Sequence, residues 1–313
     1  MAIDVTTIPI GGPALVKYDG ATFYSKGDIT LNITKNTLPI EVERDGKVDE
    51  RVLDDIITVS FTPAGEFEAL SVLFPYLTLP IGRHITGADK ALVIHTFEGR
   101  KLTLHNAAIT KMPNIIGSAE KTIFGDVEFT SFVKNNTERT DAASRWTLAD
   151  EALTDATFDP DDVLVQSYTL AWGGDAPWNN MSTMEGFTLE WNLGLTDVKT
   201  DKDGIITKRL NALDVSVKAQ PIGISKSDLL AKALVQGAGA ARGRSLNASA
   251  MDLIITGTGV YIAVYGAALK TSPLQYGRSS MLIGQLEWVA TRSYTAGAPN
   301  PLALIATEAP EEP

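Results

Sequence analysis

This chain has no cysteine. Disulfides, thiolate nucleophiles and cysteine-bound metals are therefore excluded from its chemistry. Histidine is almost as scarce: His84, His95 and His105 are the only three, and they do not fall at metal-ligand spacing. No run approaches the ~18–20 apolar residues of a membrane-spanning helix. The first residues, Met1 to Thr7, lack the basic and apolar regions of a secretory signal, so folding in the cytoplasm is expected. Positive charge is in deficit: 27 Lys and Arg against 38 Asp and Glu leave a net charge of -11. That balance argues against a surface that grips nucleic-acid phosphates, which takes clustered Lys and Arg. It is compatible with a nucleic acid that passes close without being held. What is present, 44% hydrophobic and 21% charged over 313 residues, suffices for two domains of ordinary size, each with its own core.

The chain is written twice. Moving residues 28–65 forward by 158 places them on 186–223 without a gap, with eight identities: Thr30/Thr188, Leu31/Leu189, Asp45/Asp203, Gly46/Gly204, Arg51/Arg209, Val59/Val217, Pro63/Pro221 and Gly65/Gly223. Further on, Gly99, Ala107, Ala108, Pro113 and Gly117 match Gly259, Ala267, Ala268, Pro273 and Gly277 at a shift of 160. Order and spacing persist across nearly the whole chain, so a duplicated domain is the simplest account.

Each copy is expected to be mainly β. Apolar residues alternate at period two in Ile29-Thr30-Leu31-Asn32-Ile33 and again in Phe187-Thr188-Leu189-Glu190-Trp191. Such alternation gives one buried and one polar face, as in a sandwich or barrel. Asp45-Gly46 and Asp203-Gly204 have the chemistry of tight hairpin turns. The arms around them, Lys35 to Asp55 and Thr196 to Asn211, are long and charged, so both hairpins are expected to project from the body. A helical pattern follows each Pro-x-Gly: Phe67, Leu70, Leu73 and Phe74 in copy one, and Leu229, Leu230, Ala233 and Leu234 behind a Ser225/Asp228 capping box in copy two. The expected fold is two tandem β-sandwich or barrel units, each with one flanking helix and a long projecting hairpin. The division is an N-terminal arm (1–12), unit 1 (13–134), an irregular linker (135–162), unit 2 (163–295) and a C-terminal tail (296–313).

Motifs that suggest chemistry fail on inspection. The Asp201–Gly204 stretch lacks the acid and the Glu that a calcium loop needs at its first and twelfth positions, which here are Lys199 and Leu210. The acidic run 158–162 reads as a solvated linker. Residues 237–243 (GAGAARG) follow a helix, where a phosphate loop precedes one, and lack its Lys-Ser/Thr ending. His95 and His105 align with Ile255 and Tyr265, which marks them as packing or strand-face positions. No nucleophile–base pair stands out, so no catalytic, cofactor or metal residue is expected and the chain does not read as an enzyme.

The order of strand, long hairpin, strand, helix and strands carries a resemblance, together with the segment from Tyr18 to Asn32 (YDGATFYSKGDITLN), the polar arms, the acidic charge and the lack of cysteine. With these the chain resembles the major tail tube proteins of long-tailed, non-contractile bacteriophages, over most of its length and in two passes. The resemblance implies that six units close a ring around a β-barrel lumen, and that rings stack into a tube. The usual member has one unit per chain. Two units here imply a homotrimer with pseudo-sixfold symmetry. It implies partners as well: further copies of itself, tape-measure, terminator and tip proteins, and genomic DNA sliding through the lumen without specific binding. Three chains at -11 each bring -33, which suits passing phosphates. The place implied is the virion tail, assembled in the host cytoplasm, with no membrane and no cofactor.

By the same resemblance the hairpins make the contacts between rings. The residues concerned are Glu41, Glu43, Arg44, Asp45, Lys47, Asp49, Glu50 and Arg51 in copy one, and Lys199, Asp201, Lys202, Asp203, Lys208 and Arg209 in copy two. Both signs of charge are present, although one exposed pair contributes only ~0–1 kcal/mol. The apolar residues Ile40, Val42, Val48, Ile205 and Ile206 call for something to cover them. Two other expectations compete. One is a different ring protein of a virion or secretion tube, such as a tail terminator or a decoration protein. The other is a monomeric β-sandwich that binds carbohydrate or protein through Trp146, Trp172 and Trp178, although these residues are expected rather to pack the join between the units.

Overall fold

Alternating sequence becomes strand through most of the chain. The computed structural model describes residues 14–85, 90–118, 124–133, 138, 140–153, 168–234, 246, 250–276, 281–291, 294–295, 298–299 and 301–310. The first half supplies β1 (Ala14–Tyr18), β2 (Ala21–Val42), β3 (Gly46–Ala64), β4 (Leu92–Thr96), β5 (Arg100–Leu104), β6 (Ala107–Lys111), β7 (Ile115–Gly117), β8 (Val127–Ser131) and β9 (Trp146–Asp150). The second supplies β10 (Thr169–Trp172), β11 (Ser182–Thr200), β12 (Gly204–Ile222), β13 (Met251–Gly257), β14 (Val260–Thr271), β15 (Leu274–Tyr276), β16 (Met281–Ile283), β17 (Leu286–Ala290), β18 (Tyr294–Thr295), β19 (Ala298–Pro299) and β20 (Ala303–Ala306). One sheet runs β6-β8-β3-β2-β1-β4-β5-β9. The other runs β10-β13-β14-β17-β12-β11-β7, with β20 added on β14. The mainly β, two-unit fold expected from the sequence is what forms.

The duplication holds down to register. Leu31 faces Val59 on β3, and Leu189 faces Val217 on β12. Ala107 and Ile109 face Ser131 and Phe129, while Ala267 and Leu269 face Ala290 and Trp288. The pairing slips at the next residue in both copies, between Ile109 and Lys111 and between Leu269 and Thr271. Both hairpin turns use a glycine at positive φ, 71° at Gly46 and 72° at Gly204, which a side chain would strain. Ser225 caps the helix Lys226–Ala233 by accepting the Asp228 N–H at 3.1 Å. The first copy keeps only Phe67–Leu70 and one tighter turn, Ser71–Leu73.

One aromatic pair anchors each core although its residue types differ. Tyr18 meets Phe129 edge-on at 4.9 Å and its hydroxyl donates to the Ala107 carbonyl at 3.2 Å. Trp172 meets Trp288 edge-on at 6.0 Å and its Nε1–H donates to the Ala267 carbonyl at 2.8 Å. A large ring with a polar handle is what the position requires, since the handle satisfies a buried carbonyl. The buried residues of the two units belong to a single apolar cluster.

Three expectations change. The linker is not irregular throughout: Trp146–Asp150 within it pairs along β5, matching Leu102 with Leu148. The tail from 296 likewise holds β20, which pairs along β14 and matches Ile262 with Ile305. Since Leu102 and Ile262 are equivalent, β9 and β20 are one element seen twice, the closing strand of each unit. The tryptophans do not pack the join: Trp172 and Trp178 are buried in unit 2 beside Trp288, and Trp146 is exposed on β9. The counterpart of His95 is Thr256, not Ile255. Ile94 and Ile255 hold the equivalent core positions, opposite Leu102 and Ile262. The offset arises because three residues separate β4 from β5 and two separate β13 from β14. His95 thus points away from the core and its Nε2 lies 2.6 Å from the Glu151 carbonyl. Among the described residues no helix is long and apolar enough to cross a membrane.

Candidate assembly interface

The two units meet along a seam made of backbone. β7 of unit 1 joins the sheet of unit 2, antiparallel to β11, with Ile115 opposite Leu189, Ile116 opposite Thr188 and Gly117 opposite Phe187. Gly117 is glycine for a steric reason: a Cβ there would lie 2.0 Å from the Phe187 ring. Nearby, a Cβ on Gly186 would come within 1.9 Å of the Gly117 carbonyl oxygen. Lower down, Gly82 N–H donates to Leu210 O at 2.7 Å, Leu210 N–H to Arg83 O at 2.9 Å, and Ile85 N–H to Lys208 O at 2.9 Å. Asp54 accepts the buried Ile205 N–H at 3.0 Å. Phe74 packs on Trp191, ring centres 5.5 Å apart. Backbone pairing, one carboxylate and one aromatic contact thus join unit 1 to the β11–β12 hairpin.

The hairpins therefore differ, against the expectation that both project. From Lys35 to Leu53 the β2–β3 arm is exposed apart from a half-buried Ile40. The β11–β12 arm lies against unit 1 and buries Ile205, Thr207 and Leu210. A cleft between the root of the first arm and the tip of the second is lined by Lys35, Asn36, Asp54, Asp55, Asp197 and Asp203, among others.

The sequence-marked charges divide accordingly. Glu41, Glu43, Arg44, Asp45, Lys47, Asp49, Glu50 and Arg51 are all exposed on the first arm. Lys47 pairs with Glu50, and its hydrogen bond and charge hold the Glu50 carboxyl below the usual range. Arg44 lies 3.6 Å from Asp45. On the second arm Lys199, Asp201, Lys202 and Arg209 are exposed, while Asp203 and Lys208 are half-buried. Asp203 closes its turn with Thr200 through two contacts of 2.9 Å. Lys208 pairs with Asp197 at 2.9 Å. Arg209 belongs to the seam, facing His84 across an isolated bridge. Asp54, Gly82, Ile115 and Gly117 escaped the sequence reading. The sequence had matched Gly117 with Gly277, which says nothing of what either touches.

Among the described residues no group of three or more His, Asp or Glu is placed to hold a metal ion. The acidic run at 158–162 and the glycine-rich stretch at 237–243 lie outside the described residues. No protein-family model matches this chain, and no curated protein sequence matches it either.

Proposed function

We propose that this chain is a structural subunit of a phage tail tube, polymerising as stacked rings of three chains in pseudo-sixfold order around an acidic channel that DNA crosses during ejection. The observation that carries this reading is the seam. One fold unit lends a strand to the edge of the next, and the same edge on unit 1 has no such partner among the described residues. Open sheet edges invite pairing, and a ring of like units closes them all. A contact repeated head to tail closes into a ring or extends into a filament, and a tube does both. Stacking, rather than a single terminating ring, is favoured by the β2–β3 arm. It is exposed and charged, yet it carries Leu38, Val42, Val48, Val52 and Leu53 in the open. A monomeric binding module loses support because Trp172 and Trp178 are in the core and offer no surface patch.

Negative-stain electron microscopy of concentrated protein, with mass measurement of the smallest species, tests the proposal. Tubes with a central channel, or rings at three times 33.6 kDa, are expected. A uniform monomer at every concentration overturns it.

A further inference from the structure

Several parts of the internal seam have a counterpart that is unused among the described residues. On the receiving side, among the described residues, β2 pairs with β1 only over Ala21–Tyr24 and is held from Thr30 onward by β3 alone. This is the edge that corresponds to β11. There Leu189, beneath β7, is 0% exposed, whereas Leu31 is 41% exposed. Trp191 is half-buried under Phe74, whereas its equivalent Ile33 is 61% exposed. Leu210, on the strand that bonds Gly82 and Arg83, is 0% exposed, and its equivalent Val52 is 55% exposed. Three apolar positions that are covered in unit 2 thus stand open in unit 1.

The lending side is also duplicated. β7 is bridged on its far side by Phe124, opposite Ile115. β15 is bridged in the same way by β16, with Ile283 opposite Leu274. Both members of the pair move by the same 159 residues, so β15 is β7 repeated, and the place of Gly117 is taken by Tyr276 rather than by Gly277, with which the sequence alignment had matched it. No strand pairs the other edge of β15 among the described residues. Leu70 and Leu229 are equivalent, each donating its N–H to the N-cap carbonyl, and both are buried. Phe74 and Leu234 each follow the last helical residue; Phe74 is buried, while Leu234 is an exposed large apolar residue. The counterpart of Gly82–Ile85, residues 242–245, lies outside the described residues.

We infer that the open β2 edge of one chain is closed by β15 and by Leu234 of a second copy, with Leu274 taking the place that Ile115 holds on β11. Leu274 then faces Leu31, as Ile115 faces Leu189. Leu234 covers Ile33 as Phe74 covers Trp191. The occupant is a copy of this chain because the only surface known to fit that edge is the other half of its own repeat. The contact joins unlike faces, so it propagates in one direction. The inference deepens the tube proposal and rests on it only in taking assembly to occur.

The chain has no cysteine, so introduced thiols are unique. Ile33→Cys and Leu234→Cys are made on separate full-length chains and treated with a short thiol-to-thiol cross-linker. The mixture is expected to give a covalent dimer as its main product, and either variant alone only a trace. Ile33→Asp, at a site exposed in the single chain, is expected to abolish assembly while the melting temperature stays unchanged. Rings or tubes that form without the cross-link, or that form from Ile33→Asp as from the parent, overturn this junction and leave the tube proposal standing. A parent chain that never assembles overturns both.

Discussion

The β2–β3 and β11–β12 hairpins share their turn chemistry and their strand register, and they end in different surroundings. In the second, a face of the arm is buried because unit 1 lies against it; in the first, the same face meets solvent. The difference teaches that the arm sequence encodes a contact rather than a buried core. Whether that contact is filled depends on what stands next to it. Ile205 is covered, as its apolar character demanded, while Val42 and Val48 on the other arm are not.

The sharpest way to break this comparison is to truncate the same leucine in each copy. Leu189→Ala should lower the unfolding free energy of the chain by ~2–5 kcal/mol, the range for a fully buried leucine, read from urea denaturation. Leu31→Ala in the dilute chain should stay within ~0.5 kcal/mol of the parent, as for a surface site. Equal losses at the two positions would mean that the edges are not in different environments. Next in size is Gly117→Val, whose Cβ collides with the Phe187 ring. Overpacking at the seam should cost ~1–3 kcal/mol by the same measurement.

Asp54→Ala should come close behind, at ~1–3 kcal/mol, because it strands the buried Ile205 N–H. Asp54→Asn retains an acceptor and should recover much of that loss. Its equivalent, Ala212, has no such acceptor, so this contact sharpens the distinction between the two copies. The smallest effect is absent at neutral pH. Burial pushes the Tyr18 hydroxyl well above the ordinary tyrosine value, and the same holds for Tyr76. A raised pKa gives stability that is whole below the unfolded value and declines as pH rises beyond it. Denaturation midpoints should therefore begin to fall above pH ~10, and Tyr18→Phe should flatten part of that decline. The equivalent position in unit 2 is Trp172, which does not ionise, so no matching slope arises there.

Much of the architecture was legible because turn chemistry and alternation are local. Asp-Gly, Pro-x-Gly and the strands around Leu31 and Leu189 carry their own instructions, and Ser225 announces its helix. The closing strands were not legible. Trp146–Asp150 is exposed throughout and joins its sheet by backbone pairing, which leaves little apolar pattern to read. The His95 assignment failed because one extra residue in a turn shifts a strand's faces, and a shift of one exchanges inside for outside. At the end of the opening strands Tyr18 gives way to Trp172, a change of residue type that keeps the hydrogen bond. The charged arm residues were found as a class, but their division between solvent and seam was not, since nothing local to Arg51 or Arg209 records what lies opposite.

The equivalence of β9 and β20 bears on how the chain is used. Because each unit ends on its own closing strand, the covalent connection leaves unit 1 only after that unit's sheet is complete. Three paired residues on a strand make a small seam for two free bodies. The tether turns its formation into an intramolecular event at an effective concentration on the order of millimolar. A chain built this way makes one seam during folding, independent of how much protein is present. The junction proposed between copies has no tether, so it would form by mass action and respond to protein concentration.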